Sequence, residues 1–343
     1  MTAYDRMGTS TLRHRLASAP TRLGIAAADR AFHVFARLRY AMPDVHPSRF
    51  DLTVERDVPY GTHRQQRLDV YRPRRAEGPL PVIMYVHGGG FAMLSKETHR
   101  LMAYALARRG ACVLFNIDYR HGPGQRYPTP LEDACRALLW VHEHCARYGG
   151  DPSRIALAGE SAGGNLVTAL AVASCWRRPE PFARRLFEAN VPLRAVVATY
   201  GFLDVGHTPE YLANPRLPRW AKALMVDAAR SYVGRDLQSV GERCPLASPL
   251  RIIESGAPDR PLPPFFAAVG TRDPLMRCSK RLRAALEALG TPCELHIAPG
   301  EIHGYDAMMW RPMARRKWRA THAFLDRWLE APAPAASEIG EAV

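Results

Sequence analysis

Long hydrophobic runs are missing from this sequence of 343 residues. No apolar stretch approaches the roughly 18 residues that a membrane-spanning helix needs, so no integral membrane segment is expected. The amino-terminal end lacks an apolar core followed by a small-residue cleavage site, so no secretory signal is expected either. Lysine is scarce. Of 47 basic residues only four are lysine (Lys96, Lys222, Lys280, Lys317), set against 33 acidic ones. The net charge of +14 is therefore arginine scattered along the whole chain. It forms no dense basic block and accompanies no RNA- or DNA-binding motif, which excludes a nucleic-acid partner as the plain reading. Paired cysteines are lacking too. The seven present (112, 135, 145, 175, 244, 278, 293) are odd in number, spread out and never in a C-x-x-C. A reducing cytoplasm is expected. No set of the thirteen histidines has metal-ligand spacing, and neither a metal nor another cofactor is expected.

What is there reads as an ordinary globular chain, 47% hydrophobic and 23% charged, long enough for one large α/β domain with a cap. Strand patterns fall at Leu52–Val58, Gln66–Tyr71, Val82–Val86, Cys112–Ile117, Leu193–Thr199, Phe265–Val269 and Glu294–Ala298. Helical patterns fall between them, at Glu97–Arg109, Leu131–Tyr148, Pro274–Leu289 and Met313–Leu329. Strands alternating with helices of this length predict a mostly parallel sheet covered on both faces. Residues 1–50 are basic and helical in pattern, with candidate helices at Thr11–Ser18 and Thr21–Met42. They are expected to pack on the main domain; an arginine-rich start also resembles a transit peptide or a surface-binding helix. Residues 202–247 break the rhythm, with no convincing strand but with Tyr211, Trp220, Met225 and Tyr232. A helical insertion over the carboxyl ends of the strands is expected there, where ligands bind in open α/β sheets. The tail, 331–343, is rich in alanine, proline and glutamate and is expected to be disordered.

The chemistry centres on Gly159-Glu160-Ser161-Ala162-Gly163-Gly164, which follows the short apolar run Ile155–Ala158 and opens a helical pattern running to Ala173. Gly-x-Ser-x-Gly at such a junction is a nucleophile elbow. A serine in that tight turn holds strained backbone angles, so its neighbours at minus two and plus two must be small. The bland alternative is a strand–turn–helix with a capping serine, and the rest of the chain decides between them. A serine nucleophile needs a base, an orienter for that base and donors for the oxyanion. His87-Gly88-Gly89-Gly90 directly follows an apolar strand, and its glycines let backbone N–H groups approach a substrate oxygen. His303 lies in a loop after the last strand, beside Gly304, and is the expected base. Asp273, directly after the strand at 265–269, is the expected orienter; capping the helix that follows is compatible with that role. Asp306 and Glu301 are its rivals. Glu160 is read as structural. The order nucleophile, acid, histidine is that of α/β-hydrolases.

Together these segments resemble the hormone-sensitive-lipase family of α/β-hydrolases, bacterial carboxylesterases marked by HGGG and GDSAGG motifs. The resemblance rests on His87–Gly90, Asp118-Tyr119-Arg120, Tyr127-Pro128, Leu131-Glu132-Asp133, Gly159–Gly164, Ser248-Pro249-Leu250, Leu262-Pro263-Pro264, Asp273-Pro274-Leu275 and His303-Gly304-Tyr305, and spans roughly residues 65–330. It implies Ser161 as nucleophile, Asp273 as acid and His303 as base, with the N–H groups of Gly88, Gly89 and Ala162 as the oxyanion hole. It implies a catalytic domain over 51–330, with a cap built from residues 1–50 and the insertion 202–247. Two departures stand out: Glu160 replaces the usual aspartate, and Gly122-Pro123-Gly124 after His121 loses a glutamate. The expected function is serine carboxylesterase on small to medium acyl esters, with Tyr200, Phe202, Tyr211 and Trp220 as candidate substrate contacts. An amidase of arylformamidase type would use the same groups, and a non-catalytic small-ligand-binding protein would not need them. The resemblance allows a homodimer.

Overall fold

A computed structural model describes residues 50–330 apart from 76–77, 108–111, 123, 209–217 and 238, together with most of 27–38. Eight strands form one sheet in the order β1-β2-β4-β3-β5-β6-β7-β8. They are β1 (Leu52–Pro59), β2 (Arg67–Pro73), β3 (Leu80–Val86), β4 (Val113–Ile117), β5 (Gly150–Glu160), β6 (Leu193–Thr199), β7 (Phe265–Gly270) and β8 (Cys293–Ala298). Only the β1–β2 and β2–β4 pairings are antiparallel; all others run parallel. The expected mostly parallel sheet is what the chain forms.

The central strands read as unbroken apolar runs because both of their faces are covered. Successive side chains go to opposite sides. Val82, Met84 and Val86 of β3, with Ile155 and Leu157 of β5, join one core. It also contains residues of α2 (Thr129–His144), α3 (Ala162–Cys175), α4 (Pro181–Ala189) and α5 (Arg219–Val233). Ile83, Tyr85, Ala156 and Ala158 face the other way, into a core closed by α1 (Arg100–Ala107) and α9 (Pro312–Glu330). Three further helices are α6 (Val240–Arg243), α7 (Pro249–Ser255) and α8 (Met276–Ala288). Helix α3 is buried along its whole length, which explains why its sequence has almost no polar face.

Register places the functional ends together. Val86 pairs with Gly159, Glu160 with Thr199, Thr199 with Ala268, and Gly270 with Ala298. The loops leaving β3, β5, β6, β7 and β8 therefore emerge side by side at one edge, the edge where open α/β sheets bind ligands. As expected, no strand occurs among the described residues between β6 and β7. Of the described residues in 1–50, positions 27, 29–34 and 36–38 are α-helical, within the expected Thr21–Met42. Asp29 there accepts a hydrogen bond from the Leu94 N–H at 2.7 Å. The expected Thr11–Ser18 helix and the tail 331–343 lie outside the described residues.

Two of the four lysines are buried inside this frame. Lys96 donates from Nζ to Asp57 and Asp69, each at 2.7 Å, and from its N–H to Asp118, fixing the stretch after the glycine loop to the sheet. Lys317 pairs with buried Asp306 at 2.8 Å.

Candidate active site

Ser161 sits between the end of β5 and the start of α3 at φ 56°, ψ −115°, a region that L-residues avoid at about 1–3 kcal/mol. Its small neighbours make this turn sterically open. A Cβ on Gly159 would stand 2.6 Å from the Gly163 carbonyl, and one on Gly163 would overlap the Val86 carbonyl oxygen. Gly164 is pressed against Gly201 in the same way. The Ser161 N–H is anchored to the Thr199 carbonyl at 3.0 Å. The strand-to-helix turn that the sequence predicts is therefore present, and the capping alternative fails: the Ser161 side chain makes no cap hydrogen bond.

The structure brings Ser161, His303 and Asp273 together. The Ser161 hydroxyl lies 3.0 Å from His303 Nε2, and His303 Nδ1 donates to Asp273 Oδ2 at 2.9 Å. The second carboxylate oxygen of Asp273 accepts from the Leu275 N–H at 2.8 Å, so the buried group is held at both ends. It does so as a turn ahead of α8, which begins three residues later. Burial pushes the His303 pKa down, but Asp273, helped by Asp306 and Glu160, pulls harder and leaves it above the ordinary 6.5. The rival carboxylates are engaged elsewhere. Asp306 accepts from the Tyr200 hydroxyl at 2.5 Å and pairs with Lys317, while Glu301 pairs with Arg311 at 3.1 Å.

Glu160, read from sequence as merely structural, has a larger part. Its carboxylate accepts from the Tyr85 hydroxyl at 2.8 Å, from His99 Nε2 at 3.0 Å and from the Gly88 N–H. This bears on the expected oxyanion donors. The Gly88 N–H is committed to a carboxylate and is unavailable to a substrate oxygen. Among the described residues no protein acceptor faces the N–H of Gly89 or Gly90, and Ala162, first residue of α3, has an N–H that the helix leaves over. The longer reach of glutamate over aspartate suits this span across to β3, and a Cβ on Gly88 would stand only 2.7 Å from Glu160 Oε1. His99 was not singled out from sequence, because it falls within the helical pattern Glu97–Arg109 and not in a loop after a strand. Its Nδ1 faces the Ser95 carbonyl at 3.1 Å. Burial lowers its pKa, but the Glu160 carboxylate outweighs that and raises it overall. His87 is fully buried, stacked on Tyr119 at 4.5 Å, and burial with neighbouring His99 and His121 drives its pKa well down, leaving it neutral.

The candidate substrate contacts divide. Tyr200 and Phe202 are 2% and 3% exposed, so both are buried at the site's floor rather than open to it. Tyr200 packs its ring 4.6 Å from that of His303 and gives its hydroxyl to Asp306. Phe202 belongs to the main core and donates its N–H to the Ser161 carbonyl. Tyr211 lies outside the described residues, as does the side chain of Trp220 in the first turn of α5.

A profile of the alpha/beta hydrolase fold matches residues 83–307, the span that carries Ser161, Asp273, His303, Glu160 and the glycine loop. Carboxylesterase NlhH of Mycobacterium tuberculosis is 31% identical over 287 residues, covering 81% of this chain and 83% of the relative. The chain belongs to the hormone-sensitive-lipase-like family of α/β-hydrolases. Other members of this group are similar as well. An acetyl esterase of Salmonella schwarzengrund is 28% identical over 260 residues, or 76% of this chain and 74% of that one. Among solved structures, a bacterial heroin esterase superposes with a TM-score of 0.73 at 25% identity, covering 92% of this chain and 93% of its own. Esterase LipW of Mycobacterium marinum gives 0.72 at 26% identity, with 90% of each chain covered.

Proposed function

We propose that this chain, a carboxylic ester hydrolase by family, cleaves small to medium acyl esters through a covalent acyl-enzyme on Ser161. The observation that carries the reading is the unbroken line Ser161–His303–Asp273, with contacts of 3.0 and 2.9 Å. Asp273 takes the Nδ1 proton of His303 as a hydrogen bond, so the lone pair of Nε2 faces the serine hydroxyl. Ser161 attacks the ester carbonyl carbon as His303 removes its proton. The carbonyl oxygen gains the negative charge and is held by the N–H groups of Gly89, Gly90 and Ala162. Collapse expels the alcohol, which takes the proton from His303. Water, deprotonated by the same imidazole, then releases the acid and restores Ser161. The segment 202–247 and the helical residues near Asp29 form the cap above this edge. Seven free thiols, six of them buried, fit a reducing cytoplasm.

Hydrolysis of p-nitrophenyl esters from acetate to dodecanoate, with Ser161→Ala in parallel, tests the reading. Turnover greatest on short chains and lost in the variant is the expected result. A well-folded chain inert on every ester would overturn it and turn attention to amides of the same acids.

A further inference from the structure

Asn165 stands one helical turn beyond Ser161, fully buried. Its amide nitrogen donates to the Phe202 carbonyl at 2.7 Å and to the Ala247 carbonyl at 2.9 Å. Those carbonyls mark the two ends of the 202–247 segment. The orientation of the amide is fixed by chemistry, because carbonyl oxygens only accept and only the nitrogen can serve both. Its oxygen is left buried with no partner among the described residues. Buried polar atoms are nearly always paired, so an orphaned acceptor marks a side chain retained for what its nitrogen does. The same seam holds two weaker links. The Gly206 N–H donates to Ser248 Oγ at 3.1 Å, and the Leu250 N–H to the Leu203 carbonyl at 3.2 Å. Beside them, the Ser161 carbonyl accepts from the N–H groups of both Asn165 and Phe202.

We propose that Asn165 is a positioning residue, a clasp that draws both ends of the segment to the turn carrying Ser161 and thereby sets the size of the acyl pocket. The second half of this statement rests on the esterase reading and on 202–247 as its cap. Asn165 touches none of the reacting groups. Losing its donors would loosen the segment and leave the Ser161–His303–Asp273 contacts in place. On the esterase reading, long acyl chains, which extend from Ser161 toward the ends of the segment, would suffer, and acetate would not.

The test uses the full chain carrying Asn165→Leu, of similar volume without a donor. Hydrogen–deuterium exchange is expected to quicken over residues 202–208 and 239–250, with β3, β5 and β6 unchanged. Unchanged exchange at the two ends overturns the clasp whatever the enzyme does. In parallel, KM for the p-nitrophenyl hexanoate ester is expected to rise about tenfold while kcat on the acetate stays within about threefold. A uniform fall in kcat with KM unmoved overturns the pocket-setting role. A native chain that hydrolyses no ester overturns it too, and exchange then still decides the clasp. Ser248→Ala removes a weaker link of the same seam and should shift both readouts in the same direction by less. If Asn165→Leu does not fold, no shift in Ser248→Ala overturns the proposal.

Discussion

Two histidine–carboxylate pairs flank Ser161, and they are built from the same parts for different work. His303 meets Asp273 at 2.9 Å and His99 meets Glu160 at 3.0 Å. Both imidazoles have their pKa raised by that carboxylate against the opposing effect of burial. The difference lies at the other ring nitrogen. In His303 it faces the Ser161 hydroxyl, which can give up a proton; in His99 it lies between the Ser95 carbonyl at 3.1 Å, which only accepts, and the Thr98 hydroxyl at 2.9 Å, whose proton goes to that same carbonyl. In the proposed reaction His303 therefore has use for a free lone pair and serves as a base. His99 has an acceptor at each ring nitrogen, the arrangement toward which its raised pKa points, and acts as a strut that steadies Glu160 and through it the glycine loop. What makes a histidine a base is the atom opposite its second nitrogen, not the carboxylate behind the first.

The comparison breaks most severely at the reacting group itself. Ser161→Ala is expected to cut kcat on p-nitrophenyl acetate by about 10⁴- to 10⁶-fold, measured as steady-state hydrolysis; a loss under tenfold would remove Ser161 from the nucleophile role. Asp273→Asn should cost about 10⁴-fold by favouring the wrong tautomer. Glu160→Gln should cost on the order of 10²-fold, as much as one oxyanion donor, because the Gly88 N–H and His99 lose the charge that fixes them. That loss should appear in kcat more than in KM.

The pH profile separates the two pairs. His303 must be neutral to take a proton, so kcat/KM should rise with pH through a limb lying above 6.5, the direction of its raised pKa. His99→Leu should lower turnover by about tenfold and leave the position of that limb unchanged; a limb that moved with His99 would make the strut a base after all. The smallest effect concerns stability. A histidine with a raised folded pKa contributes stability in full below its unfolded value of 6.5, and loses it as pH climbs through the folded one. The native chain should thus lose Tm across that window, and His99→Leu should flatten part of the fall.

Much of this arrangement was legible in the residues. The runs at Val82–Val86 and Leu193–Thr199 are apolar on both faces because both faces are covered, and Gly159 and Gly163 announce a turn that tolerates no side chain. Ser161, Asp273 and His303 each stand just past a strand, where a parallel sheet gathers its loops. Hydrogen bonding that crosses between strands was not legible. Nothing in the order His87-Gly88-Gly89-Gly90 says which N–H a carboxylate on β5 captures, so the proposed donors stand one residue further on than the expected ones. Tyr200 and Phe202 looked like substrate contacts because aromatic residues after a strand often line a site. Their burial depends on Asp306 and Asn165, far away in sequence or pointing inward from a helix. Pro181–Ala189 gave no expectation at all, and its helix is short, arginine-rich and amphipathic.

The burial of Lys96 and Lys317 has a practical side. Of the four lysine amines, the two tied to aspartates are each about 2% exposed, while Lys222 on α5 is half-buried and Lys280 on α8 is exposed. A fluorophore at Lys222 would ride on the segment that Asn165 clasps, while one at Lys280 would ride on the body of the sheet. An arginine-rich surface thus leaves the molecule almost ready-made for a two-colour ruler.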